Sequence, residues 1–194
     1  MGQAERRTLI SRTAVSIIAR HGTKALTHRA VDRELGLPNG STSYYFRTRD
    51  ALIEATALFI VDRSRSTYDL LADTHSDIAG LTAAYLDDLL SNRSDELTAR
   101  YALLLETREN AILHSLLVKC LFSTDKARAL FPDRNLDENN TPAEDFVSLL
   151  EGLIFDRSIG ARSAGDATDN IRDLRVPIQA YLDGIHRDAG SSPE

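Results

Sequence analysis

Residues 27–52 read THRAVDRELGLPNGSTSYYFRTRDAL, and their arrangement decides how the rest of the chain is read. Thr27 is a good N-cap, because a threonine hydroxyl accepts from the free amides of a helix's first turn. The helix it starts, over about 28–35, carries Ala30, Val31 and Leu35 on an inner face and Arg29, Asp32 and Arg33 on an outer one. Gly36 stops it and Leu37-Pro38 restarts the chain. Proline is tolerated in a first turn, so a third short helix is expected over about 38–45. A helix, a turn around a glycine and a second short helix make a helix-turn-helix. The segment GSTSYYF (40–46) is small and hydroxyl-bearing at its start and aromatic at its end. Short side chains let such a helix approach base edges in a major groove, where hydroxyls donate or accept. Tyrosine hydroxyls and helix N-terminal amides suit phosphates.

Working outward, residues 5–21 place Ile10, Ala14, Ile17 and Ile18 on one face, with Gly22 as the stop. On the other side, Thr48 reads as the N-cap of a long helix over about 49–73, with Asp50 in its first turn. Amphipathic stretches follow over about 76–91, 95–109 and 111–122, then 126–131 after a break at Ser123. The polar run PDRNLDENNTP (132–142) reads as a loop, and the SSPE tail as frayed. A helix over about 143–160 aligns Phe146, Leu149, Leu150, Leu153 and Ile154. A last one, over about 167–185, aligns Ile171, Leu174, Ile178, Tyr181, Leu182 and Ile185, and Pro177 must kink it or mark its true start. The fold class is all-α, with about nine helices.

The net charge of -6 conceals a partition. Residues 1–50 hold nine Lys and Arg against four acids, a surplus of five, so the remainder carries −11. One end of the chain suits a polyanion and the other does not. Cys120 is the only cysteine, and the histidines (His21, His28, His75, His114, His186) lack metal-ligand spacing, so no metal is expected. There is no phosphate-cradling glycine loop and no paired nucleophile and base, so neither an enzyme nor a cofactor is expected. No stretch approaches the roughly 20 apolar residues of a membrane span. The opening residues lack a secretory stretch, and Arg6 stands where a myristoylation signal wants Ser or Thr. A cytoplasmic protein away from membranes is expected.

The stretch from about residue 8 to 55 resembles the tetracycline-repressor (TetR) family. Its members read as a helix ending in Gly-Val, a turn, Gly-Thr-Leu-Tyr-x-Tyr/His-Phe, two residues, then Lys-Glu-x-Leu. Here Gly36, Leu37, Gly40, Ser41, Thr42, Ser43, Tyr44, Tyr45, Phe46, Arg49, Asp50 and Leu52 hold those places, preceded by Gly22, Leu26, Thr27, Ala30 and Val31. Thr42 stands where the family has an apolar residue and Ser43 where it has Tyr. Arg49 replaces a Lys, keeping the charge with a different geometry. The resemblance implies that Tyr45 and Arg49 anchor phosphates with Thr48, and that Thr27 and His28 meet the DNA backbone. Asn39, Gly40, Ser41, Thr42 and Ser43 face the groove, with Tyr44 near its edge. Thr27, Thr48 and Asn39 equally suit helix caps, and Ala30, Val31, Leu35, Leu37 and Phe46 suit the head's own core.

It also implies a head over residues 1–48 and an effector-binding, dimerising body over 49–194. The function implied is a repressor that binds double-stranded operator DNA as a homodimer and is released by a small molecule. Candidate pocket residues are Phe59, Tyr68, Tyr85, Tyr101, Arg108, His114, Cys120 and Phe122. Glu106 and Arg108 are a candidate buried pair or, alternatively, form an interhelical or surface ion pair. The candidate dimer interface is Phe146, Leu149, Leu150, Gly152, Leu153, Ile178, Tyr181 and Leu182, whose other reading is intramolecular core. A helical dimeric adaptor without specific DNA binding is the rival function; it has no use for a basic head with a hydroxyl and aromatic helix face.

Overall fold

The computed structural model describes residues 2–131, 142–164 and 170–189, with side chains up to residue 185 in the last stretch. Among them are ten α-helices and no strand. The expected loop over 132–142, except Pro142, and the SSPE tail lie outside the described residues. No described helix is long and apolar enough to cross a membrane.

Two compact units are formed, one from residues 1–65 with 93–121, the other from 66–92 with 122–194. They cut across the expected division after residue 48, because the first helix packs on a helix from beyond residue 93. In the first unit, α1 (Gln3–His21) buries Ile10, Ala14, Ile17 and Ile18, the expected face. It stops at Gly22 and leads through a 3₁₀ turn (Thr23–Ala25) to α2 (His28–Glu34). Thr27 caps α2 through its hydroxyl, which accepts from the Ala30 amide at 3.0 Å. Next comes α3 (Ser41–Tyr45), then α4 (Arg49–Ala72), whose residues from 66 on belong to the second unit; the Thr48 hydroxyl accepts from the Ala51 amide. The expected start of α3 near residue 38 is too early. Gly40 adopts φ +91°, which L side chains rarely reach, and the Pro38 carbonyl closes a turn by accepting from the Ser41 amide and hydroxyl.

The first unit is completed by α6 (Ser94–Glu106), which packs on α1, and α7 (Ala111–Val118). The latter ends four residues before the expected 122. Buried Arg100 donates to the carbonyls of Leu117 and Val118, taking acceptors that a further helical turn would use.

The second unit holds α5 (Ile78–Ser91), α8 (Thr124–Arg128), α9 (Pro142–Ser158) and α10 (Asn170–Ala189), with α10 packed on α5 and α9. Ser123 marks the expected break and caps α8. Pro177 sits inside α10. Having no N–H, it leaves the Asp173 carbonyl without its helical donor, and Arg157 supplies one at 3.4 Å. Phe146 stacks on Tyr181 and meets Phe131 edge-on, building an aromatic core.

Candidate nucleic-acid interface

The site is built on α2. Its middle residues Ala30, Val31 and Asp32 are all buried, which corrects the outward placement of Asp32. The Asp32 carboxylate, 1% exposed, points at the start of α3. One oxygen accepts from the Thr42 amide at 2.8 Å and the Thr42 hydroxyl at 2.6 Å; the other accepts from the Gly40 amide at 2.8 Å. Burial opposes ionisation of Asp32, but the Thr42 hydroxyl, the Thr42 and Gly40 amides and nearby His28 together outweigh it. The carboxyl therefore titrates below its ordinary range.

This arrangement overturns the groove-facing role expected of Thr42. Its side chain is fully buried, with the hydroxyl held by Asp32. A polar residue fits an apolar place because a buried acceptor from the neighbouring helix satisfies it.

The far end of α3 is held as firmly. Arg7 of α1 donates to the Tyr45 carbonyl at 2.9 Å, and its guanidinium lies 4.3 Å from the centre of the Phe46 ring. His28 Nε2 bonds the Phe46 carbonyl at 2.7 Å, so in this structure His28 is directed at α3. What α3 and its turn leave to solvent is Asn39, Gly40, Ser43 and Tyr44, the last 76% exposed. Ser41 and Tyr45 are half-buried, and the Ser41 hydroxyl donates to Pro38. The Tyr44 and Tyr45 rings meet edge-to-face at 5.2 Å. Thr27 and Thr48 are exposed and both act as caps. In the head core, Ala30, Val31 and Phe46 are buried while Leu35 and Leu37 are half-exposed.

Arg49 is placed differently from expectation. It pairs with Glu106 at the end of α6 and donates to the Thr23 carbonyl at 2.9 Å. Glu106 is thus in an interhelical ion pair with Arg49, while Arg108 is exposed beyond α6. The Arg49 hydrogen bond, aided by Thr23 and the charges of Arg49 and Lys24 against partial burial, holds the Glu106 carboxyl below its ordinary range. Both partners are about one-third exposed, so Glu106→Gln should change stability by under about 1 kcal/mol at neutral pH in urea unfolding. The folded-state value is depressed, so that small contribution is present at neutral pH and fades as pH falls through the carboxylate range. A loss above about 2 kcal/mol would show the pair to be a structural keystone instead.

The other candidates separate by unit. Tyr68, Tyr85 and Phe122 lie in the second, in successive edge-to-face contacts at 6.2 Å. Lys126 Nζ sits 4.4 Å from the Tyr68 ring centre. Phe59, Tyr101, Arg108, His114 and Cys120 lie in the first. Of these Cys120 is buried and Phe59, Tyr101 and His114 are half-buried.

The expected dimer face also needs correction. Phe146, Leu150, Leu153, Ile178 and Leu182 are core of their own unit, buried by α5, α9 and α10, with almost no surface left for a partner. Leu149 and Tyr181 are half-buried; Tyr181 donates its hydroxyl to the Pro142 carbonyl. Gly152 is exposed, and a Cβ there would meet no atom within 4 Å. The apolar side chains left open on these two helices are Phe155, Ile171 and Val176, with Ile159 just past the end of α9, none of them singled out in the sequence as interface. Asp32 and Arg7 were missed for another reason: both act across helices, and the one signal was a threonine in an apolar place.

A short helix seated on α2, with its polar and aromatic outer face in the basic first quarter of the chain, defines a helix-turn-helix regulator. The model of the family described as "Tetracyclin repressor-like, C-terminal domain" matches residues 73–187. The chain therefore belongs to the TetR family of transcriptional regulators. A TetR-family member from Streptomyces coelicolor shares its fold at TM-score 0.70, with 24% identity over 91% of this chain and 98% of that one. The multidrug binding protein EbrR, complexed with ethidium, aligns at TM-score 0.65 and 24% identity, over 91% of this chain and 98% of that one. No curated protein sequence matches the chain significantly.

Proposed function

We propose that this protein is a ligand-responsive repressor that binds a palindromic operator as a homodimer. The observation that carries the proposal is α3, a helix pinned in place with Asn39, Ser43 and Tyr44 exposed within a segment carrying a surplus of five positive charges. Asn39, Ser43 and Tyr44 read base edges, and Tyr45, Thr48, Thr27 and exposed Arg47 meet phosphates. Ser41 adds the acceptor side of its hydroxyl. Two such heads about one helical turn apart read the two halves of a palindrome. The dimer forms through Gly152 and Phe155 of α9 and Ile159 just past its end, with Ile171 and Val176 of α10. Gly152, Phe155 and Ile159 recur at the spacing of one helix face, and the glycine admits a close partner.

The effector class is a cationic aromatic compound. Support comes from EbrR, which binds ethidium and malachite green, and from Tyr68, whose ring face already receives a cation from Lys126. Binding would shift the population toward a spacing of the heads that no longer fits the operator.

An electrophoretic shift with the DNA next to its own gene, repeated at rising salt, tests the reading. A sequence-specific complex that weakens steeply with salt is expected; its absence would sink the proposal. Tyr45→Phe should weaken binding to all sequences alike by up to about tenfold, whereas Ser43→Ala should alter which sequence is preferred.

A further inference from the structure

A helix of five residues is too short to stand by itself, since isolated helices below about 12–15 residues are marginal in water. Backbone bonds from the Tyr44 amide to the Gly40 carbonyl and from the Phe46 amide to the Thr42 carbonyl close its two ends, and a helix this short takes its pose from outside. The structure supplies that hold with opposite charges at opposite ends. At the start, where the free amides carry partial positive charge, stands the Asp32 carboxylate of α2. At the end, where the free carbonyls are negative, Arg7 of α1 bonds the Tyr45 carbonyl and lies over the Phe46 ring, and His28 bonds the Phe46 carbonyl. The two carriers are seated in the head core: Ile10 is buried one turn after Arg7, and Ala30 and Val31 are buried beside Asp32.

We propose that Arg7 and Asp32 are positioning residues that fix the pose of the recognition helix, and that Arg7 acts on α3 rather than on a DNA phosphate. The pinning stands on its own geometry; its consequence for DNA rests on the operator-binding function above. Without Arg7 the helix keeps its outer side chains but loses a fixed angle. Specific binding then falls while the charge attraction common to all DNA remains, less one distant cation.

Arg7 is exposed, so its variants should fold. Amide hydrogen exchange of the full-length protein without DNA should show the amides of residues 44–46 exchanging about tenfold faster in Arg7→Met and in Asp32→Asn. Exchange in α5 and α6 should be unchanged. Binding is then measured against a 30-bp duplex (about three helical turns) enriched from a random pool by the wild-type protein, and against a scrambled duplex of equal length. Both Arg7→Met and Arg7→Lys should lose about tenfold on the enriched duplex and far less on the scrambled one, at an unchanged salt slope. Lysine keeps the charge but not the flat fork that bonds the carbonyl and covers the ring.

Unchanged exchange at residues 44–46 in Arg7→Met would overturn the proposal. So would equal losses on both duplexes with a salt slope shallower by about one, restored by Arg7→Lys, the signature of a phosphate contact. If the wild type enriches no sequence, the operator function fails, and the exchange measurement alone decides the pinning.

Discussion

Asp32→Ala is expected to cost about 3 kcal/mol or more and to abolish sequence-specific DNA binding, while adding Thr42→Leu recovers only the share owed to the Thr42 hydroxyl, about 1 kcal/mol. The single change removes the acceptor for the buried Thr42 amide and hydroxyl and for the part-buried Gly40 amide. An unsatisfied buried donor costs about 1–3 kcal/mol. Thr42→Leu alone should also destabilise, because it sets an apolar group against a buried carboxylate and removes one donor. Together the two changes remove the hydroxyl–carboxylate pair and set an apolar residue at position 42, as in the family resemblance, while the Gly40 and Thr42 amides still lack their acceptor. A double-mutant cycle from urea unfolding of the full-length protein should therefore give a coupling energy of about 2 kcal/mol between the sites. Simple additivity within about 0.5 kcal/mol would show that the two side chains are not an energetic unit.

The same pair has a pH signature. The folded-state value of Asp32 lies below its ordinary value, so its contribution is complete at neutral pH and lost as pH falls through the ordinary carboxylate range toward the folded value. The Asp32→Ala, Thr42→Leu double variant should lack this acid-dependent loss.

Phe155→Asp, and independently Val176→Asp, should raise the dimer dissociation constant by at least about 100-fold, since a charge would enter an apolar contact without a partner. Both side chains are at least half exposed in the protomer, at 50% and 64%, so monomer folding should be nearly unaffected. Sedimentation at micromolar concentration should show dimer becoming monomer, with unchanged helical circular dichroism. Operator affinity should fall with it, because a single head binds half a palindrome. Phe146→Ala is the contrasting variant. Phe146 is buried between Phe131 and Tyr181, so its truncation should cost about 3–5 kcal/mol of folding stability. If Phe155→Asp remains a dimer, the proposed face is wrong and the association must be sought elsewhere.

Much of the helical order was legible in the residues because its signals are local. Thr27 caps α2 through an amide three residues on, Ser123 caps α8 likewise, and Gly22 ends α1. The apolar face of α1 follows from periodicity alone. The early start expected for α3 failed because Pro38 is compatible with both a first turn and a tight turn. The left-handed backbone at Gly40 chose the turn. Stripes on α9 and α10 were read correctly as apolar, but a stripe does not name its partner. Packing of α10 on α5 and α9 took Ile178 and Leu182 into the protomer and left Phe155 and Val176 outside.

The sequence by itself determined an all-helical chain, a helix-turn-helix near its start, and a basic head joined to an acidic remainder. Those follow from propensity, capping and charge, which act over one or two turns. Only the tertiary structure decided which polar side chains turn inward. Thr42 and Asp32 lie ten residues apart, and Arg49 meets Glu106 across 57. A polar side chain can be buried only where another element brings a partner to it, and that meeting is a property of packing rather than of either segment.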